Sequence, residues 1–364
     1  MKNFFLLLTY AFVFLLWVCG AAIAHTESIT VLDVYQREVS VPFKSDRFIA
    51  IGPGALRLYT YIGEPDRIVG IETFEKNKNT AGRPYAQLYE ESFDRLPDVG
   101  PGGPQASFDA EGVLNANPDV IIVSDHYERR AIERLQANTG IPVVTITRDT
   151  AQGSVFNEKM YASLRIIGAV TGNEARAEAV ITYIEHTKAD LIERTASIKN
   201  PKAVYLGCLP RSGVQGIRST SGHYDLLDYI NAENVVSLAG INEYVFINKE
   251  QLLMWDPEII VIDANGYELL MRDIQAMPEY YDSLQAFNRG DVFMQMPYNY
   301  YSTNIEIALA NAYYLGTKLY PEAFADIKPA EKTNEISRFF LNLDVYEALA
   351  EAYYGGYQSL QLDF

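Results

Sequence analysis

The sequence predicts an α/β protein of two similar lobes with mainly parallel sheets, joined by one long α-helix. Three observations carry this reading. The first is a unit that occurs twice. It runs Asp109-Ala110-Glu111, six residues, Pro118-Asp119, the apolar run Val120 to Val123, and Asp125. It returns as Lys249-Glu250, six residues, Pro257-Glu258, Ile259 to Ile262, and Asp263. The copies lie 139 positions apart (250 − 111, and again 257 − 118). Each reads as a short helix, a turn at proline and a strand covered on both faces, as a continuous β-branched run implies. So long a period means two lobes rather than a solenoid. The second observation is that strands and helices alternate around each copy, the pattern of a parallel sheet. The third is that no Gly or Pro occurs between Gly172 and Pro201. That leaves room for a helix of about 25 residues, roughly 37 Å long.

The first lobe is expected over residues 25–172. Ile29 to Asp33 and Glu38 to Val41 alternate apolar and polar residues, as a β-hairpin does. Phe48 to Ile51 is a buried strand, broken by Gly52-Pro53-Gly54, and Ala55 to Ile62 continues at helical period. Ile68 to Ile71 is the next strand, followed by a polar, flexible segment from Glu72 to Arg83. Val120 to Val123 and Val143 to Ile146 are strands with a helix, Glu128 to Asn138, between them. Ser154 to Val170 is helical and ends at Thr171-Gly172. The connecting helix is expected over 173–198, with Asn173 as its N-cap. Its apolar stripe is Ala177, Val180, Ile184 and Leu191.

The second lobe is expected over residues 199–364. Ala203 to Gly207 is its first strand and Tyr224 to Ile230 a helix. Ile259 to Ile262 and Val292 to Met296 are further strands. Ile305 to Tyr320 is an amphipathic helix, and Asp344 to Tyr354 is the last one, stopped by Gly355-Gly356.

Composition sets outer bounds. The chain has 364 residues, enough for two domains. Its 48% hydrophobic and 21% charged residues describe a folded protein. A net charge of −17 argues against nucleic-acid binding, which needs a basic surface to replace phosphate counterions. Lys2, the apolar run Phe4 to Val18 and Ala22-Ile23-Ala24 read as a signal peptide over residues 1–24, so the mature chain is expected to begin at His25. The alternative is a lipoprotein anchored at Cys19, although Val18 is large for the position before a lipidated cysteine. Cleavage before His25 leaves only Cys208, and hence no internal disulfide. No later stretch is long and apolar enough to span a membrane.

The export signal, the two α/β lobes and the connecting helix together resemble the solute-binding proteins of ABC importers for iron–siderophore complexes, haem and cobalamin. The repeated Glu followed seven positions on by Pro and a strand is the most specific mark. Gln215 to Thr220 and Asn299 to Asn304 also look like the iron-complex branch. The resemblance implies a periplasmic protein, expected to be a monomer, that hands a small-molecule iron complex to an ABC permease dimer. It implies that Glu111 and Glu250 sit at the outer tips of the lobes and meet arginines of the permease. The membrane would be met only through that permease or a lipid anchor, and no cofactor would be held permanently. On the residues alone, each Glu is also what a helix N-terminus favours.

In open α/β sheets, ligands bind outside the carboxyl ends of the strands, so two facing lobes imply a ligand cleft between them. The loops nominated are Gly52 to Arg57, Glu75 to Lys78, Asp125-His126-Tyr127, Leu209 to Arg211, Arg218 to His223, Asn265 to Tyr267 and Pro297 to Tyr301. Within them Tyr298, Tyr300 and Tyr301 offer flat apolar surface plus hydroxyls, or else pack under the following helix. Arg57 is a candidate ligand-binding residue, and Arg211 and Arg218 are candidate anion holders, guanidinium forks for a carboxylate or phosphate or else surface charges. His126, Tyr127 and His223 complete the candidate lining. Metal ligation stays open: the histidines lack HxH or HxxxH spacing, and a bare divalent ion wants three or four ligands. Iron is expected as a chelate, most simply a ferric siderophore. Haem, cobalamin, a bare metal ion or an oxyanion such as molybdate suit the same fold. An exported enzyme or sensor is the remote alternative. There is no GxxxxGK[ST] or GxSxG, Gly52-Pro53-Gly54 lacks a dinucleotide fingerprint's third glycine, and Cys208 reads as a core cysteine.

Overall fold

The computed structural model describes residues 27–77, 80–103, 107–147 and 156–360. The export segment with Cys19, His25, Lys78 and the expected helix start at Ser154 lie outside these. The first half runs β1 (Ser28–Leu32), β2 (Glu38–Pro42), β3 (Phe48–Ile51), α1 (Ala55–Ile62), β4 (Ile68–Gly70), α2 (Ala110–Ala116), β5 (Val120–Ser124), α3 (Arg129–Thr139), β6 (Val143–Ile146) and α4 (Glu158–Thr171). The helix α5 (Glu174–Thr195) follows. The second half begins β7 (Ala203–Gly207), β8 (Ser219–Ser221), α6 (Asp225–Tyr229), β9 (Glu233–Asn234), α7 (Val235–Leu238), β10 (Tyr244–Phe246), α8 (Lys249–Trp255) and β11 (Ile259–Asp263). It ends with α9 (Tyr267–Ala276), α10 (Pro278–Asp282), α11 (Gln285–Arg289), β12 (Val292–Gln295), α12 (Ile305–Leu319), α13 (Pro329–Leu341), α14 (Tyr346–Ala352) and β13 (Gln358–Ser359).

Two sheets result. The first has the order β4-β3-β5-β6, parallel throughout. The second has the order β13-β12-β11-β7-β9, parallel except for the short edge strand β13. The repeated strands β5 and β11 are interior in their sheets and buried at every residue, which is why they read as unbroken apolar runs. The helix before each is built alike. Asp109 caps α2 and Asn248 caps α8, the latter with Gln251 in a reciprocal capping box. Asn117 and Asp256 end them in the left-handed conformation, and a proline follows each.

Between the sheets lies α5, 22 residues and about 33 Å long, with Ala177, Val180, Ile184 and Leu191 all buried. Asn173 precedes it without capping it. Its side-chain amide donates to the Ile62 carbonyl instead, fastening α5 to α1.

Three expectations need correction. The described residues after β4 do not form an open polar loop. They carry a 3-10 turn, Thr73–Lys76, and a buried Glu75–Arg83 ion pair that also takes the Tyr85 hydroxyl. Charges expected in a polar loop are here paired inside. Second, α12 is not amphipathic: every residue from Ile305 to Gly316 is buried, because α5, α6 and α13 surround it. Third, α13 and the antiparallel pair β8–β10 were not anticipated, their strands being too short to show a period. The lobes also share packing. One apolar core runs from Phe48 and Tyr59 of the first, through α5, to Val204, Val261 and Phe293 of the second.

Candidate functional site

The carboxyl ends of the first sheet converge on Gly52. It follows β3 at φ 93°, and a Cβ there would stand 2.4 Å from Ser124 Oγ and 2.9 Å from the Tyr127 ring, so only glycine fits. Ser124 ends β5, Tyr127 lies three residues on, and Glu72 follows β4. The Gly52 N–H donates to Glu72 Oε2 at 3.0 Å. Glu72 is almost fully buried, and that burial raises its carboxyl to about 8, with Glu75 adding to the rise and the Gly52 and Tyr301 hydrogen bonds opposing it. The ring of Tyr127 packs on Phe108 at 4.3 Å, and burial raises its phenol pKa. Three atoms here are buried without a hydrogen-bond partner: Glu72 Oε1, Ser124 Oγ and Tyr127 Oη. Each such group costs about 1–3 kcal/mol if left so.

The second lobe closes over this nest with the turn after β12. Asn304 N–H donates to the Tyr298 carbonyl, Thr303 Oγ1 donates to Asn299 Oδ1, and Tyr301 and Ser302 take left-handed φ values of 56° and 88°. This geometry turns the Tyr301 side chain into the first lobe. Its hydroxyl donates to Glu72 Oε2 at 3.2 Å and accepts from the Gly103 N–H at 2.9 Å, while its ring packs on Phe74 at 4.4 Å.

The expected tyrosine wall is thus dismantled. Tyr298 is buried in the core against Tyr224, where apolar burial outweighs display. Tyr301 bridges the lobes. Tyr300 remains half-buried beside Phe74, with Arg83 over its ring. Arg57 also leaves the set of solute-facing groups. It is 1% exposed, and its guanidinium is engaged by Asn304 Oδ1 and the carbonyls of Tyr300 and Tyr301, with Tyr85 beneath it. Lys76, in the nominated loop Glu75 to Lys78, is bound to Asp98 and the Leu96 carbonyl.

The other candidates are accessible to different degrees. His126 is half-buried, edge-on to Tyr127. Arg211 is exposed on the loop after β7, its guanidinium stacked 4.6 Å above the Tyr244 ring. Gln215 ties that loop together by donating to the Arg211 carbonyl, and its own backbone packs on Gly266. Next to Gly266, Tyr267 packs on the exposed Tyr354 at 4.5 Å. The C-lobe strand ends therefore present a cation and aromatic rings on one connected surface. Arg218 is exposed too, but its Nε is spent on the Ile247 carbonyl just before α8.

His223 has the one constellation suited to a cation among the described residues. Its Nε2 lies 2.9 Å from Asp225 Oδ1, and the ligand atoms of His223, Asp225 and Asp228 all lie within 4.8 Å of one another. Burial raises the Asp228 carboxyl, the His223 ring lowers it and the Asp225 carboxylate raises it. Cys208 is buried, and burial pushes its thiol well up, away from the reactive thiolate. Glu111 and Glu250 are both exposed, in the first turns of α2 and α8.

Sequence reasoning overlooked Glu72, Ser124, Asp263 and Gln295. The last two carry unpartnered buried atoms at the ends of β11 and β12, matching those of the first lobe. The signal was present: each is the polar residue that ends, or closely follows, an apolar run at a sheet's carboxyl edge.

Among the described residues no helix is long and apolar enough to cross a membrane. Residues 49–295, spanning strands of both sheets, match the family described as periplasmic binding protein. A curated relative is the uncharacterized ABC transporter substrate-binding lipoprotein YvrC of Bacillus subtilis (strain 168). It is 19% identical over 235 residues, covering 64% of this chain and 68% of that one. A periplasmic solute binding protein from Veillonella parvula DSM 2008 superposes with a TM-score of 0.68 at 17% identity, covering 90% of this chain and 97% of that one. The TroA-like periplasmic binding protein FepB from Veillonella parvula gives 0.66 at 23% identity, covering 87% and 97%. The molybdate-bound binding protein MolA of Haemophilus influenzae gives 0.64 at 18% identity, covering 87% and 98%. These likenesses share the two-lobed α/β architecture, and the family match settles the assignment: the chain belongs to the periplasmic binding protein family.

Proposed function

We propose that this protein is the exported solute-binding component of an ABC importer, and that its cargo is an iron complex, a ferric siderophore in the simplest case. The observation that carries the cargo reading is the second lobe's strand-end surface. Arg211 is held flat on Tyr244, and the Tyr267–Tyr354 pair stands beside the same loop. A fixed guanidinium next to exposed rings suits a large, flat, negatively charged chelate. Delivery rests on Glu111 and Glu250, exposed at equivalent places in the two lobes, which meet arginines of the permease dimer. Iron reaches the cleft already chelated, so no resident cofactor is needed.

An oxyanion is the second reading, favoured by the hydroxyl-rich nest at Gly52 and by the molybdate carried by the MolA relative. The two are separated by intrinsic-fluorescence titration of the mature chain. The panel is ferric siderophores of catecholate and hydroxamate type, haem, cobalamin, divalent metal ions and molybdate. The expected result is saturable binding of a ferric complex, weakened at least tenfold in Arg211→Ala. Binding of molybdate alone, or affinity indifferent to Arg211, overturns the iron-complex reading.

A further inference from the structure

Three side chains from separate strand ends meet at Gly52, each more than nine-tenths buried: Glu72 at 1% exposure, Ser124 at 0% and Tyr127 at 8%. Each holds one polar atom that bonds to nothing among the described residues. Buried polar atoms in folded proteins are satisfied by protein, water or ligand. These three stand at the carboxyl edge of a parallel sheet, where such folds take their ligands. We propose that Glu72 Oε1, Ser124 Oγ and Tyr127 Oη form a subsite that donates three hydrogen bonds to one anionic oxygen of the cargo, with Glu72 acting as a carboxylic acid. This rests on the solute-binding reading above and names the chemistry of its first-lobe half.

The donors fit an oxygen acceptor and little else. Serine and tyrosine hydroxyls donate freely, and a protonated carboxyl adds a third O–H. Glu72 keeps its proton at neutral pH because burial holds its carboxyl near 8. The groups that face it are the Gly52 N–H, Glu75 from its own segment, Tyr127 from the loop after β5 and Tyr301 from the other lobe. Glu75 is itself held by Arg83. Above pH 8 the carboxyl ionises, loses its donor and sets a negative charge against the guest. Tyr301 and the Gly103 N–H lie beside the nest, joined by the hydrogen bond from that N–H to the Tyr301 hydroxyl. The anionic oxygen belongs either to a free oxyanion or to a chelate whose phenolate or carboxylate oxygens point outward.

The test is calorimetric titration of the mature chain with sodium molybdate and, separately, with the ferric complex of a tris-catecholate chelator, well below and well above pH 8. At least one probe should bind, about tenfold more weakly on the alkaline side. Which probe binds identifies the source of the oxygen. Ser124→Ala and Tyr127→Phe should each weaken it about tenfold without lowering the thermal unfolding temperature. Glu72→Gln, which keeps a donor, should retain the affinity seen below pH 8 and lose the pH dependence. The proposal is overturned if neither probe binds, or if a bound probe is indifferent to Ser124→Ala and Tyr127→Phe, as a nest filled only by water requires. It is also overturned if Glu72→Gln leaves the pH dependence intact. Any of these leaves the solute-binding reading standing wherever the wider panel finds a cargo sensitive to Arg211.

Discussion

Arg57 in α1 donates its Nε to Asn304 Oδ1 at 2.8 Å, across 247 residues of sequence and from one lobe to the other. The same guanidinium holds the Tyr300 carbonyl at 2.6 Å and the Tyr301 carbonyl at 3.3 Å. Asn304 in turn donates to the Gly82 carbonyl. One buried cation thus fixes the turn that carries Tyr301 over the first lobe's strand ends. Arg57→Ala leaves those acceptors unpaired inside the protein and should cost about 3 kcal/mol in urea unfolding. Arg57→Lys should recover less than half of that, because an ammonium cannot reproduce the fork. A loss below about 1 kcal/mol would show that the turn holds without this tie.

The Glu75–Arg83 pair makes a second, sharper stability prediction. Both side chains are buried, and Glu75 also accepts from Tyr85. Removing one partner leaves an uncompensated charge in the interior, so Glu75→Ala and Arg83→Ala should each cost about 3–5 kcal/mol. The double substitution should cost far less than their sum. Additive losses in denaturant titration would mean that the two charges act through other partners.

Asp263 predicts a pH dependence of definite sign. It ends β11 fully buried, and that burial raises its carboxyl from 3.8 to about 7, against the opposing hydrogen bonds of Asn265. The folded state therefore keeps this proton when the unfolded chain has released it. Its contribution to stability is intact below about pH 4, falls as pH rises towards 7, and is flat above. A shift of that size is worth about 4 kcal/mol. Asp263→Asn should match the wild type near pH 4 and exceed it increasingly up to pH 7, read as the difference in unfolding free energy at each pH. A constant difference would mean that Asp263 is ionised in the fold.

The contrast between Asp263 and Arg57 explains how much was legible in the chain. Strand β11 announced itself through four β-branched residues between Pro257 and Asp263, because burial on both faces leaves no polar positions. The repeat placed Glu111 and Glu250 in equivalent helix starts because capping is local chemistry. Helix α5 was visible because nothing in it breaks a helix. Arg57 and Tyr301 looked like displayed groups because the partners they hold across the lobes lie 198 to 247 residues away, and side-chain chemistry is the same whether spent inside or offered to a solute. Tyr298 failed likewise: Tyr224, against which it packs, comes from a different element. Glu75 and Arg83 read as a soluble loop because a buried ion pair has the composition of an exposed one. The α/β class and the lobes follow from local pattern, whereas the nest at Gly52 depends on three loops meeting.

Glu111 and Glu250 carry the prediction about partnership. Each lies exposed in the first turn of a seven-residue helix, and neither carboxylate has an ion-pair partner among the described residues. A carboxylate in that position stabilises its helix by about 0.3–1 kcal/mol, so Glu→Ala at either site should leave the protein folded. If their task is local, nothing beyond that small loss follows. If they meet permease arginines, each substitution removes one charged contact at one lobe while the cleft is untouched. Cargo affinity by fluorescence titration should then stay within twofold of the wild type, whereas transport in vesicles containing the permease should fall steeply in either single variant and vanish in the double. Charge reversal separates contact from helix stabilisation: Glu250→Lys should abolish transport with the wild-type permease and regain part of it when the facing arginine is exchanged for glutamate. Full transport by the double alanine variant would remove docking from these two residues.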